Sequence, residues 1–361
     1  MSRLQAEHLY KVFGKRPKEA VRRLEAGADR DELRAEGTTA AVIDASFEVE
    51  EGQIFVVMGL SGSGKSTLLR MLNGLLEPTG GRVLFEDRDI TALSGRELRR
   101  VRSQRISMVF QHFALFPHRS VLENAAYGLQ VQGVPRAEGE KRAAEALEMT
   151  GLAGWENSWP DELSGGMQQR VGLARALATN AEVLLMDESF SALDPLIRRD
   201  MQDQLIALQR KLRKTIVFIT HDLNEAMRLG DRIAVMRDGR IVQNGTAEEI
   251  LVHPANDYVA SFTQDVDRSR VLTAGAIADT GNGGIRMAKG GGRPTVSAGT
   301  PVAELFSPFS TGDGPIVVTD DSGAPLGVVD RERLLSALAE EPRIAGDDGP
   351  RPDSAEVSAG A

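Results

Sequence analysis

Gly59-Leu60-Ser61-Gly62-Ser63-Gly64-Lys65-Ser66-Thr67 is the stretch from which the fold can be read. It matches the phosphate-binding pattern G-x-x-x-x-G-K-[ST], and its flanks supply the context that pattern needs. Ahead of it, Ile54-Phe55-Val56-Val57-Met58 is an apolar run rich in β-branched residues, suited to a buried parallel strand. Behind it, Leu68 to Gly74 reads as a helix that closes on glycine. Small residues at Gly59, Ser61, Gly62, Ser63 and Gly64 let the backbone wrap a polyphosphate. The N–H groups of the loop, through Thr67, and the helix N-terminus then face the anion. Lys65 can reach the β- and γ-phosphates, and the Ser66 hydroxyl can ligate Mg²⁺.

The chain has 361 residues, room for two domains or three. Its 41% hydrophobic and 26% charged residues are an ordinary soluble composition. A net charge of −9 leaves no basic excess to neutralise phosphates, which argues against a general nucleic-acid binder. With no cysteine, disulfide frameworks and thiolate metal sites are excluded, and a reducing cytoplasm fits. Met1 to Glu7 lack the apolar core of a signal peptide, and no run approaches the roughly 18 apolar residues of a membrane-spanning helix. Any membrane role is therefore expected to come through a partner.

Taken in order, residues 4–13 predict a first strand, and residues 15–36 predict a solvated surface insertion of two short amphipathic helices. Ala41 to Val49 alternates as a strand and turns at Glu51-Gly52 into the strand before the phosphate loop. Residues 81–90 and 105–110 read as further strands separated by a basic helix, Gly95 to Arg102, and Gln111 closes the second. Helix patterns dominate from His112 to about Asp161. A helix at 167–179, a strand at 183–188, a helix at 198–212 and a strand at 215–219 follow. Strands alternating with helices predict a largely parallel α/β sheet with ligands at the strand C-termini. From Ile233 two short strands and a helix at 247–251 are expected. Gly281 to Gly292 reads as a loop, and 301–338 as helix, strand, turn at Asp320 to Gly323, strand and helix. The last 20 residues have the composition of a disordered tail.

A hydrolase built on a phosphate loop needs a second carboxylate for Mg²⁺ and a group to orient water. Asp187 ends an apolar strand, from which it can reach a metal held by Ser66, and Glu188 next to it can polarise the attacking water. Taken alone, Asp187-Glu188 would serve equally as helix N-cap acids; the phosphate loop favours the metal and base roles. Gln111 and His221 each terminate an apolar strand at the same expected sheet edge.

Leu163-Ser164-Gly165-Gly166-Met167-Gln168-Gln169-Arg170 resembles the signature motif of ABC transporter ATPases. Gln111 is similar to that family's Q-loop, Ser191-Ala192-Leu193-Asp194 to its D-loop and His221 to its switch histidine, all in the family's order. The likeness covers about residues 4–260. It implies a P-loop NTPase core with a RecA-like sheet and a helical signature subdomain at about 112–165, in an ATP-binding domain spanning 1–264. It also implies ATP and Mg²⁺ as cofactors, with Ser66, Gln111 and Asp187 toward the metal and Glu188 and His221 as catalytic residues. Phe13 falls where the family stacks an aromatic ring on adenine, with Tyr10 as a second candidate. Ser164, Gly165 and Gly166 form an anion-binding helix cap far from the phosphate loop in one chain. The family's solution is a head-to-tail homodimer, in which these residues and Asp194 complete the nucleotide site of the second copy.

Within the family the chain resembles the ATPase subunit of glycine betaine/proline importers. The extra helical segment at about 15–38, the block Phe190 to Arg198 and Asn256-Asp257-Tyr258-Val259 carry that likeness. Those subunits end in a pair of cystathionine-β-synthase-type (CBS) modules. Here Pro315 to Leu338 resembles the end of one module, so a truncated or degenerate CBS-like α+β domain is expected at 265–340, and a disordered tail at 341–361. The resemblance implies a peripheral motor on the cytoplasmic face of the inner membrane. It would drive an integral membrane permease and act indirectly with a periplasmic or lipid-anchored substrate-binding protein, without nucleic acid. Phe113, Leu115, Phe116, Pro117 and Val121 to Asn124 would form the groove for the permease helix. A soluble ABC-type ATPase acting on ribosomes or DNA is disfavoured, because the chain has one signature and no long coiled-coil insertion. The same motor serving a different amino acid or osmolyte is the nearer alternative.

Overall fold

A computed structural model describes residues 2–110, 114–191, 193–264, 266–281, 293–312 and 314–339. The sequence expectations for Gln111, Phe113, Ala192, most of the glycine-rich stretch and the tail at 341–361 lie outside the described residues. The chain divides into two compact units, Met1–Ala247 and Glu248–Ala361. The division thus precedes the expected 264/265 boundary, with helices Ala247–Val252 and Asp257–Thr263 falling at and beyond it.

The first unit is built on two sheets. Strands β1 (Ser2–Phe13), β2 (Thr39–Glu50), β3 (Ile54–Met58), β4 (Gly80–Phe85) and β5 (Arg88–Asp89) come first. They are followed by β6 (Ile106–Val109), β7 (Val183–Asp187), β8 (Thr215–Thr220), β9 (Arg232–Arg237) and β10 (Arg240–Gly245). An antiparallel sheet has the order β2-β1-β4-β5, and a second has the order β10-β9-β3-β8-β7-β6. The central strands β9, β3, β8, β7 and β6 are parallel. β3, β7 and β8 are buried at every position, as strands covered on both faces must be. Helix Lys65–Leu72 puts Leu68, Leu69, Met71 and Leu72 into one core with β1, β2 and the parallel strands. Within it the Phe47 and Phe55 rings stack at 4.7 Å.

The expected strand over 81–90 is a hairpin instead. Glu86 and Asp87 both take positive φ, 48° and 63°, which is the turn geometry that matches the twist of paired strands. The insertion forms its two helices, Pro17–Glu25 and Arg30–Ala35, but it is not simply solvated. Ala20, Val21, Leu24 and Leu33 bury against Tyr10, Val12, Ala40 and Ile43, a small core of their own. Helices Val121–Val131, Arg136–Met149 and Gly165–Ala178 pack a third cluster around Leu129, Ala143, Leu147 and Val171. Val121 and Asn124 belong to that interior rather than to an open groove. Asn124 accepts from Phe116 N and donates to the carbonyls of Phe116, Arg119 and Ser120.

The second unit holds β11 (Thr295–Ser297), β12 (Ile316–Thr319) and β13 (Pro325–Val329), with β11 parallel and β13 antiparallel to β12. Helices Val302–Thr311 and Arg331–Ala339 complete its later half. At the expected turn, Asp320 accepts from the amides of Ser322 and Ala324. Among the described residues no helix is long and apolar enough to cross a membrane.

Candidate functional site

Parallel pairing decides which chain segments meet. β8 lies between β3 and β7, with Met58 opposite Thr220 and Asp187 opposite Ile219. The segments leaving β3, β7 and β8 therefore start side by side at one carboxyl edge, although β3 is more than a hundred residues from β7 and β8 in sequence. They carry Gly59 to Thr67, Glu188 and His221 respectively.

The loop after β3 is backed closely by main chain. A Cβ at Gly59 would sit 2.2 Å from Met236 O, and one at Gly64 would sit 2.2 Å from Ala41 O. Gly64 also takes φ 105°, where L-residues are strained. Gly239 donates its amide to Ser63 O at 3.0 Å and accepts from Ile43 N at 2.8 Å, so the β9–β10 turn braces the loop from behind. At Gly62, by contrast, the space where a side chain would project is open.

Lys65 is buried, and its ammonium donates to Gly59 O at 2.8 Å and to Leu60 O at 3.1 Å. Glu188 Oε1 lies 3.6 Å from Lys65 Nζ, and Glu188 Oε2 lies 3.3 Å from His221 Nδ1. Burial lowers the lysine's pKa, opposed by Glu188 and then Asp187. The loop thus holds a cation at some cost, which a polyphosphate anion would offset. The Ser66 hydroxyl donates to Asp187 Oδ1 at 2.9 Å. Burial raises the Asp187 pKa, and that hydrogen bond works the other way.

Glu188 sits at φ 42°, a turn immediately past the end of β7. Its amide donates to Ile219 O at 3.1 Å, while its carbonyl accepts from Ser191 N and from Ser191 Oγ at 2.9 Å. The main chain on both sides is thereby held, and the carboxylate is left between an ammonium and an imidazole.

The remaining expected residues lie elsewhere. Ser164 caps helix Gly165–Ala178 by accepting from Met167 N, and it is exposed together with Gly165. A Cβ on Gly166 would meet Ile197 at 2.7 Å. Asp194 caps helix Pro195–Leu212 through the amides of Leu196 and Ile197. Phe13 is 44% exposed with the Lys11 ammonium over its ring at 5.2 Å, whereas Tyr10 is buried in the insertion core and cannot offer a face.

The residues present fit a magnesium nucleotide. Among the described residues Ser63 Oγ has no hydrogen-bond partner although it is buried, and the ammonium of Lys65 turns back on its own loop. Among the described residues no cluster of three or more His, Asp or Glu forms a metal cage. A hydroxyl and one carboxylate suit an ion that takes its other ligands from phosphates and water.

Residues 42–191 match the family model of the ABC transporter. The glycine betaine/carnitine transport ATP-binding protein of Listeria monocytogenes is 46% identical over 94% of this chain and 98% of its own. The trimethylamine N-oxide transport system ATP-binding protein of Ruegeria pomeroyi is 45% identical over 93% of this chain and 96% of its own. A solved ATP-binding cassette, dimeric in a post-hydrolysis state with ADP and Pi, aligns with a TM-score of 0.57 at 32% identity. That alignment covers 68% of this chain and 98% of the cassette.

Proposed function

Because the chain belongs to the ABC transporter ATP-binding proteins, we propose that it is the ATP-hydrolysing subunit of an importer for glycine betaine/proline-type osmoprotectants. ABC ATPases bind ATP and work in importers as dimers on a membrane permease. The finer statement concerns this chain: a nucleotide-sandwich homodimer, peripheral on the cytoplasmic face of the inner membrane, served indirectly by a substrate-binding protein. The observation that carries the hydrolytic role is Glu188 between Lys65 and His221 at the edge where the phosphate loop opens.

In the proposed cycle Lys65 exchanges the carbonyls of Gly59 and Leu60 for phosphate oxygens, and the loop amides from Gly62 to Thr67 face the same anion. Ser66 and Asp187 would hold Mg²⁺, with Gln111 as a further expected ligand. When bound, that ion neutralises charge on the phosphoryl oxygens. Glu188 accepts a proton from the attacking water, and His221, through Nδ1, holds the carboxylate in place. Phe13 offers an exposed ring for a base to stack on. Ser164 and Gly165 are exposed at a helix start and, with Gly166, would face the nucleotide of a second copy.

A close second cargo is trimethylamine N-oxide, favoured by the near-full-length likeness to a subunit named for it. Both cargos carry an N-methylated amine. With the permease and binding protein in sealed vesicles, ATP should drive glycine betaine uptake. Glu188→Gln should lower uptake and turnover about 100-fold or more while nucleotide binding persists. Unchanged turnover in that variant would overturn the role of Glu188, and uptake of trimethylamine N-oxide alone would reassign the cargo.

A further inference from the structure

His221 is the most exposed member of the hydrolytic cluster, with 53% of its side chain open, and among the described residues its side-chain contact there is the 3.3 Å approach to Glu188. Its position must therefore be set largely by the backbone that carries it. That backbone is enclosed by a polar network which the hydrolytic scheme does not use. Asp222 donates its amide to Thr220 Oγ1 at 2.9 Å, so the residues on either side of His221 are tied together. Asp222 Oδ1 in turn accepts from the amide of Glu225 at 3.2 Å, and the Thr220 side chain opposes the rise that burial causes in the Glu225 pKa. Glu225 is buried, and its Oε1 accepts from Gln202 Nε2 at 3.1 Å.

Gln202 and Arg198 stand one helical turn apart on helix Pro195–Leu212, so they share a face. Arg198 Nη1 lies 3.5 Å from Asp222 Oδ2. Its Nη2 donates to Ser191 O at 3.2 Å and to Leu193 O at 3.1 Å. One guanidinium thus spans the segment that follows Glu188 and the residue that follows His221. Leu223, Ala226 and Leu229 make the buried face of helix Leu223–Leu229, and Glu225 turns inward with them. A buried carboxylate needs compensation, and here the Gln202 amide supplies a donor to it.

We propose that Glu225, with Gln202, Arg198 and Asp222, is a positioning network that sets His221 against Glu188 and ties that setting to the main chain of Ser191 and Leu193. It rests on the assignment of Glu188 and His221 as the hydrolytic pair. None of the four residues is placed at the phosphates, so its removal should act on turnover more than on nucleotide affinity. A displacement of a catalytic group by an ångström from outside the site is enough to cost one to two orders of magnitude in rate.

The full-length chain is assayed for ATP turnover as wild type, His221→Ala, Glu225→Ala, Glu225→Gln and the double variant His221→Ala/Glu225→Ala. Glu225→Ala should lower kcat about tenfold with KM for ATP within about twofold, and the isosteric Glu225→Gln should stay within about twofold of wild type. Adding Glu225→Ala to His221→Ala should change kcat no further, because the network acts through the imidazole. An equal loss in both backgrounds, or a near-wild-type kcat for Glu225→Ala, overturns the proposal. An unchanged kcat in His221→Ala overturns the underlying pair instead, so the two failures are distinct. If Glu225→Ala does not fold, Arg198→Met runs through the same cycle with the same two outcomes, since Arg198 is partly exposed and leaves Glu225 in place.

Discussion

Gly64 stands at φ 105° with Ala41 O where a Cβ would be, so both its backbone and its missing side chain are required. Gly62, two residues earlier, has a positive φ of 78° but open space around it. The pair separates steric from conformational demand. Gly64→Ala should cost about 3 kcal/mol of stability in urea unfolding and abolish nucleotide binding, whereas Gly62→Ala should cost about 1 kcal/mol. Equal costs would contradict the bracing of the loop by β2 and the β9–β10 turn. At this scale the pattern G-x-x-x-x-G-K-[ST] indicated which residues matter but not why each glycine is needed. The contacts that decide it, Ala41 O and Met236 O, come from β2 and β9, outside the motif, and carry no side-chain signature. Lys65, Ser66, Asp187, Glu188 and His221 were legible because chemistry fixes their types and strand ends fix their places. Glu225 was not, because Asp222-Leu223-Asn224-Glu225 has the spacing of an ordinary helix cap, and only the fold turns its last carboxylate inward.

Elements were most legible where a single period governs them. The buried runs of β3, β7 and β8 are continuous apolar segments, and each was readable as a strand. The insertion was readable as two helices, but its apolar stripe needed Tyr10, Val12, Ala40 and Ile43 as a partner surface, which only pairing of β1 with β2 provides. The hairpin at Glu86-Asp87 was missed because neither residue advertises positive φ as Asn-Gly would. Helix Leu223–Leu229 carries a prediction of its own. Burial raises the Glu225 pKa above the ordinary value of 4.5. Its ionised form therefore weakens the fold above the raised pKa, and that cost fades as pH falls through it toward the ordinary value. Glu225→Gln should melt above wild type at neutral pH, with the advantage shrinking on acidification. A pH-independent difference in melting temperature would show that Glu225 does not titrate as a buried acid.

For the whole molecule the informative feature is what one chain leaves apart. The loop after β3, Asp187, Glu188 and His221 meet at one sheet edge. Ser164, the cap of the helix that Gly165 and Gly166 begin and the other helix start proposed to bind the anion, shares no hydrogen bond with the loop among the described residues. The sequence contained this separation as two motifs a hundred residues apart. The proposal that a second copy closes the site rests on family likeness, not on any property of a single chain. Sedimentation of the Glu188→Gln variant with ATP and Mg²⁺, with and without Ser164→Arg, tests that claim most directly. The account predicts an ATP-dependent dimer for Glu188→Gln and an ATP-binding monomer once Ser164→Arg is added. A Glu188→Gln chain that stays monomeric with ATP bound, or a dimer indifferent to Ser164→Arg, would contradict it.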